Sequence, residues 1–331
     1  MKEEEIRPES LFNDYLALAE SDIRTFFLSS PFHYVPCPAC GATQSSFQFR
    51  KLGFDYEECN QCGSLFVNPR PPLDAFQRYY RDSPSVNFWA THFYRETEEA
   101  RRIKLVRPKA ELVVLKIEQY SGKPRTGSII LDIGSGYGVL CEELTRILPP
   151  GCIVAGIEPS QSLGKVCREK GIPLIPKQME EVFSTDLPQG TIVAAISFEL
   201  LEHLHDPSTF LNACHRVLPS GALLILTTLS WAGFDLQVLR ERSRSIHPPH
   251  HINFLTPESI KVLLNRHGFH CCEVTTPGKL DIDITVKQID EVNDPFIKGI
   301  LSSDNATREA FQEVLARTCL SSHMMIVAKK R

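Results

Sequence analysis

The sequence has no apolar run approaching the ~20 residues that a membrane span needs. It has no basic excess either: 36 Lys and Arg stand against 40 Asp and Glu, a formal charge of −4. A strongly basic nucleic-acid footprint is therefore missing. No internal repeat or low-complexity tract is present. Hydrophobic residues at 42% and charged residues at 23% are ordinary globular usage, which excludes wholesale disorder. Residues 1–10 are acidic where a signal peptide would be basic, and no apolar h-region follows. The expected location is cytoplasmic, where thiols stay reduced. The eleven cysteines, an odd count, are then no disulfide framework. At 331 residues the chain suits one large domain plus an accessory module.

What is present is unevenly placed. Cys37, Cys40, Cys59 and Cys62 lie within 26 residues, and seven further cysteines are scattered among apolar neighbours, where free cysteine behaves as a small hydrophobe. C-P-A-C, eighteen residues, then C-N-Q-C fits the spacing of a structural four-thiolate zinc site. Gly41 and Gly63 follow the two pairs and relieve each knuckle. Four thiolates leave no open coordination position, so the metal is expected to be structural. A redox reading is weaker, because neither pair follows a parallel strand at a helix start. The flanks carry little basic charge, so a scaffold role is expected ahead of nucleic-acid binding.

Hydrophobic periodicity divides the chain. Residues 1–34 hold a helix, 35–72 a hairpin-rich zinc module closed by Pro69, Pro71 and Pro72, and 73–120 a helical linker or lid. From residue 121 apolar runs at 129–133, 153–157, 192–196 and 223–226 alternate with helical stretches. That alternation predicts an α/β fold, a doubly wound parallel sheet with helices on both faces. A helix at 256–267 is signalled by Thr256 as cap and Pro257 at its first position, and 323–328 reads as a last strand.

The strand at 129–133 runs into Gly134-Ser135-Gly136-Tyr137-Gly138. Gly134 and Gly136 allow a tight turn and close approach of backbone to ligand. A dinucleotide fingerprint would need a glycine at 139, where the chain has Val139, which weighs against a nicotinamide-dependent oxidoreductase. The next strand ends in Glu158, placed to accept hydrogen bonds from a ribose diol. The fourth ends in Phe198-Glu199-Leu200-Leu201-Glu202-His203-Leu204-His205-Asp206-Pro207.

D-I-G-S-G-Y-G, G-I-E-P-S, F-E-L-L-E-H-L-H-D-P and R-V-L-P-S-G-A-L-L-I, in that order, resemble the class I S-adenosylmethionine-dependent methyltransferases, most closely the branch with the ubiquinone-biosynthesis O-methyltransferases. The match covers roughly residues 105–275. C-P-A-C-G with C-N-Q-C-G-S-L-F-V-N-P-R-P, over 35–72, resembles the zinc head of some members, including enzymes that methylate nucleotide-linked sugars. The resemblance implies a Rossmann-like sheet of seven strands with the last antiparallel, S-adenosylmethionine as cofactor, and a structural zinc. It places Asp132, Gly134, Ser135, Gly136 and Gly138 at the methionine end of the cofactor, Glu158 at the ribose, Gln178 and Met179 at the adenine, and Phe198 and Glu199 facing the sulfonium. Many relatives have an aspartate where this chain has Lys177-Gln178-Met179. The implied partner is a small polar acceptor, methylated on oxygen or carbon, such as a sugar nucleotide or natural-product intermediate. A non-catalytic zinc-ribbon sensor is the alternative from another class.

Transfer from a sulfonium is an in-line displacement that often needs a base. Glu199, His203, His205 and the run His247-Pro248-Pro249-His250-His251 are the candidates. Glu199, Glu202 and His203 also fall at i, i+3 and i+4, one face of a helical turn, where two carboxylates and an imidazole hold a divalent cation. The same E-x-x-E-H resembles the metal site of O-methyltransferases that act on vicinal hydroxyls, with His250 or His251 as the later ligand. The competing reading, favoured here, is that Glu202 and His203 cap and pack a helix. Turnover is then insensitive to chelator.

Overall fold

A computed structural model describes residues 2–331. Among these residues eleven strands form two sheets. The strands are β1 (Ser45–Lys51), β2 (Phe54–Cys59), β3 (Leu65–Val67), β4 (Ser128–Ile133), β5 (Ile153–Ile157), β6 (Leu174–Ile175), β7 (Thr191–Phe198), β8 (Leu223–Leu229), β9 (Asn253–Phe254), β10 (Phe269–Thr275) and β11 (His323–Lys330). The large sheet has the order β10-β11-β8-β7-β4-β5-β6. β4 pairs in parallel with β5 and β7, and β7 with β8, while β11 runs antiparallel to both β8 and β10. The expected seven strands and antiparallel last strand are present.

The chemistry of the strands explains the layering. All six residues of β4 are buried, as a parallel strand covered on both faces must be. Ile129, Leu131 and Ile133 join one apolar layer, and Ile130 joins the layer on the opposite face with Ala110, Val113 and Ile117 of the helix Arg107–Ser121. The helix Pro257–Arg266 starts as its sequence predicts: the Thr256 hydroxyl accepts the Ser259 amide and Pro257 is its first residue. Between β10 and β11 the chain inserts helices Asp281–Lys287, Pro295–Leu301 and Asn305–Arg317 around Ile282, Ile284, Leu301 and Leu315.

The small sheet has the order β1-β2-β3-β9. Its fourth strand comes from nearly two hundred residues further along: Leu65 pairs with Phe254 and Phe66 with Asn253. One apolar cluster joins Phe27, just after the helix Glu9–Phe26, with Phe54, Tyr56 and Val67 of the ribbon, Tyr79 beyond it, and Ile246, Ile252 and Phe254 of the later chain. The stretch expected to be a helical lid runs from Leu73 to Ser121, with π turns at Trp89–Phe93 and Arg102–Val106. No helix among the described residues is long and apolar enough to cross a membrane.

Candidate functional site

The strand order reverses between β4 and β7, the point at which an open sheet binds ligands outside its strand ends. Gly134, Gly136 and Gly138 all have positive φ, at 77°, 55° and 72°. At Gly138 a Cβ would sit 2.2 Å from Ile172 Cδ1, so both the backbone and the space demand glycine. Glu158 spans the turn: its carboxylate accepts the Gly136 amide (2.9 Å) and the Ser160 amide (2.9 Å). Burial pushes its pKa up, opposed by those two amides. The buried Ser135 hydroxyl has no partner among the described residues, and Gly156 makes room for it, since a Cβ there would lie 2.6 Å from Ser135 Oγ. Asp132 is buried beneath the turn, with only the Cys141 thiol at 3.3 Å, and burial raises its pKa to about 7. A bare glycine turn, a buried acidic residue holding its amides and an orphaned hydroxyl fit a nucleoside ligand. Gln178 is exposed, and Met179 is buried in the apolar layer with Ile157, Ile175 and Val182.

The helical segment lies over this turn. Tyr94 stacks on Tyr137 with ring centroids 4.8 Å apart, and the Tyr137 hydroxyl donates to the Ala90 carbonyl. Lys170 joins Glu98, Glu142 and the Tyr137 carbonyl at 3.0–3.1 Å. Arg101 lies over the Tyr94 ring, its Nε without a partner and its charge disfavoured by burial. Neither Tyr94 nor Arg101 stands out in the sequence, because a charged helical stretch reads as a solvated face.

The expected helical face does not form at the end of β7. Glu199 has φ of +51°, a left-handed conformation that ends the strand, and only Leu201–His203 make a 3-10 turn. Glu199 therefore points away from Glu202 and His203. Its carboxylate accepts Lys109 Nζ (3.0 Å) and the Thr227 hydroxyl (2.8 Å), with His323 Nδ1 at 3.3 Å. Burial opposes its charge, but Lys109 and His323 hold its pKa well below the usual carboxylate range. Phe198 packs on the opposite layer with Lys109 Nζ 5.2 Å from its ring centre.

A different trio gathers instead. One donor atom each of Glu202, His203 and His251 lies within 4.8 Å of the others. Glu202 also accepts the Thr228 hydroxyl at 2.8 Å, and burial and then Glu199 push its pKa up to about 8. Burial and then the neighbouring His251 bring His203 down to about 3; burial brings His251 to about 4. Both are neutral, the form that binds metal. The other ring nitrogens are fixed: His203 Nδ1 meets the His250 carbonyl at 3.0 Å and His251 Nδ1 the Ser245 carbonyl at 2.6 Å. His250 stands apart from the trio, with Nε2 2.5 Å from the Tyr79 hydroxyl. His205 packs against the Pro71 carbonyl at 3.0 Å.

In the ribbon, one Sγ of each of Cys37, Cys40, Cys59 and Cys62 lies within 4.8 Å of the others; Cys37–Cys62 and Cys40–Cys59 are each 3.5 Å apart. A tetrahedron with Zn–S near 2.3 Å has edges of roughly 3.8 Å, so the thiols fit zinc. The two knuckles match: Gly41 N donates to Cys37 O and Gly63 N to Cys59 O, each at 2.9 Å.

A doubly wound sheet with a glycine turn at the switch point, an acidic residue after the next strand and an antiparallel final strand defines the class I S-adenosylmethionine-dependent methyltransferase fold. The chain belongs to the methyltransferase-domain family, whose model matches residues 105–274. It is similar to the ubiquinone biosynthesis O-methyltransferase of Bradyrhizobium sp. (strain ORS 278), with 34% identity over 152 residues, 42% of this chain and 58% of that protein. The mitochondrial ubiquinone biosynthesis O-methyltransferase of Homo sapiens is 33% identical over 160 residues, 44% of this chain and 42% of that one. The chain thus spans about half the length of the curated relatives it matches. The plantazolicin methyltransferase BpumL in complex with SAH shares the fold, with a TM-score of 0.50 at 15% identity over 77% of this chain and 94% of that one.

Proposed function

We propose that this protein transfers the methyl group of S-adenosylmethionine to a small polar acceptor. The observation that carries the reading is the Gly134–Gly138 turn held by Glu158 at the switch point. Asp132, Ser135 and the turn's amides would hold the methionine end and Glu158 the ribose hydroxyls, while the cofactor supplies an electrophilic methyl group. The end of β7 and the 247–251 loop would then contribute polar groups to the acceptor side of the crevice. O-methylation is favoured over C-methylation by the O-methyltransferase activity in the names of both curated relatives and by the donor atoms beside the crevice.

The trio Glu202, His203 and His251 supports a second element, a divalent cation. The cation would chelate adjacent oxygens of the acceptor and favour its ionised form, which points to an acceptor with vicinal hydroxyls. In the ribbon, a structural zinc held by Cys37, Cys40, Cys59 and Cys62 completes the reading.

Calorimetry with S-adenosylhomocysteine tests the cofactor site, and transfer of labelled methyl from S-adenosylmethionine to catechol tests the activity. Saturable binding and label in the catechol product are expected. Folded protein that binds no S-adenosylhomocysteine overturns the proposal.

A further inference from the structure

We propose that His323 is the general base of methyl transfer, held by Glu199 with its Nε2 free for the acceptor hydroxyl; this rests on the methyltransferase reading above. β11 runs antiparallel beside β8 and pairs His323 with Leu229. The first residue of β11 therefore lies at the end of the sheet where the parallel strands finish, which is the end that carries the ligand crevice. Nothing in the sequence marks it, because His323 opens a strand whose next five residues are buried and apolar.

The geometry is that of an oriented base. His323 Nδ1 is 3.3 Å from Glu199 Oε1, and among the described residues no other histidine pairs with a carboxylate. Glu199 is itself fixed by Lys109, by the Thr227 hydroxyl and by its own amide, which donates to Thr227 O at 2.9 Å. Three partners hold the carboxylate and a fourth bond holds the backbone of a residue in the left-handed conformation, which is disfavoured outside glycine. A carboxylate accepting from Nδ1–H leaves Nε2 with its lone pair. That nitrogen is buried and has no partner among the described residues. His203, His205, His250 and His251 by contrast each commit a ring nitrogen to backbone or to tyrosine.

The groups facing His323 are Lys109 from the helix Arg107–Ser121, Glu199 from the end of β7, and Asp281 from the helix Asp281–Lys287. Burial and then Lys109 lower the imidazole pKa to about 4, against the opposing pull of Glu199 and Asp281. The ring is therefore neutral at pH 7, and its Nε2 carries no proton when Nδ1–H faces Glu199. In the step, the acceptor oxygen forms the O–CH3 bond as its O–H proton passes to Nε2. The electron pair of the breaking S–CH3 bond stays on sulfur as a neutral thioether. The imidazolium left beside Glu199 then loses its proton to water.

Two measurements on the full chain test this. The first needs no acceptor: long-range proton–nitrogen NMR of the histidine rings at pH 7 with S-adenosylhomocysteine, the His323 signal assigned by its loss in H323Q and H323N. A protonated Nδ1 with a bare Nε2, lost or exchanged in E199Q, is expected. A protonated Nε2 in the unsubstituted protein overturns the proposal. The second compares turnover of catechol with that of the more acidic 4-nitrocatechol. H323Q is expected to lower kcat on catechol by ~100-fold or more, with less than ~10-fold loss on 4-nitrocatechol above its ionisation and S-adenosylhomocysteine affinity within about twofold. Equal losses on both acceptors overturn it. Protein that binds S-adenosylhomocysteine but methylates neither catechol refutes the acceptor assignment, and the tautomer then decides His323 alone.

Discussion

Glu158 Oε2 and the Gly136 amide lie 2.9 Å apart, across the crevice between the ends of β5 and β4. The second carboxylate oxygen takes the Ser160 amide, so one buried side chain sets the shape of the turn; under the proposed function it would also meet the ribose. Glu158→Ala removes both bonds. Each charge-assisted bond is worth about 1.5–3 kcal/mol, so S-adenosylhomocysteine affinity measured by calorimetry should fall at least ~10-fold. Glu158→Gln should fall between the two.

The thiol cluster predicts about one tightly held zinc per chain by elemental analysis. Cys40→Ser should lower metal content and the melting temperature. Turnover should fall as well, because Tyr56 of the ribbon donates to the His251 carbonyl at 2.8 Å and Val67 N to Ile252 O at 2.9 Å. S-adenosylhomocysteine affinity should stay within about twofold. Zinc-free protein with an unchanged melt would count against the ribbon as a metal site.

For the second trio, manganese or magnesium added to zinc-loaded protein should raise the melting temperature, by about 2.7 kcal/mol of stabilisation at one hundred times Kd. His251→Ala and Glu202→Gln should abolish the shift. A weak chelator should then reduce turnover reversibly while circular dichroism stays constant. Identical melts with and without the cation in the unsubstituted protein would remove it from the reaction.

Acid should destabilise the metal-free protein well above the range where carboxylates titrate. His203 and His247 are lowered by burial to about 3 and His251 to about 4, from an ordinary 6.5. The unfolded chain binds these protons first, so stability is full above pH 6.5 and falls as the pH drops toward 4. The slope is about 1.4 kcal/mol per pH unit for each histidine. Thermal melts from pH 7.5 to 5 read it directly, and a flat profile would contradict the burial of the loop.

Asp235 is fully buried with both carboxylate oxygens unpartnered, and burial and then Asp281 hold its pKa well above 3.8. Folding at pH 7 must therefore take up a proton. That penalty grows as the pH rises above the unfolded pKa and vanishes below it. Asp235→Asn should stabilise the protein by about 1–2 kcal/mol at pH 7 and by less near pH 4, as measured by denaturant unfolding.

The glycine turn, Glu158, the four cysteines and the parallel strands at 129–133, 153–157, 192–196 and 223–226 are legible in the sequence because each is local. A strand, its turn and a metal knuckle are written within ten residues. The end of β7 is not legible in that way. The spacing of Glu199, Glu202 and His203 fits a helix, yet the Glu199 amide extends the β ladder to Thr227 O, and the backbone turns left-handed only afterwards. Hydrogen bonding to a neighbouring strand overrides the spacing, sending one carboxylate to Lys109 and the other to the histidines. His250 is tied to the Tyr79 hydroxyl, 171 residues away in the chain, while His251 joins the trio. His323 is invisible for the same reason: its partner is brought to it by the antiparallel return of β11.

The two residues of β9 also bear on how such a chain can be cut and recombined. The proline-rich stretch near residue 72 looks like a seam between cassettes. A graft made there would carry away three strands and leave the fourth behind, with Asn253 severed from the Arg70 guanidinium that it meets at 3.1 Å. The recipient would inherit a cofactor crevice whose histidine loop had lost its floor. The amino-terminal ribbon and the large-sheet domain thus share one packing unit, and shuffling between relatives should tolerate crossovers inside the 281–317 helices more readily than at the apparent seam.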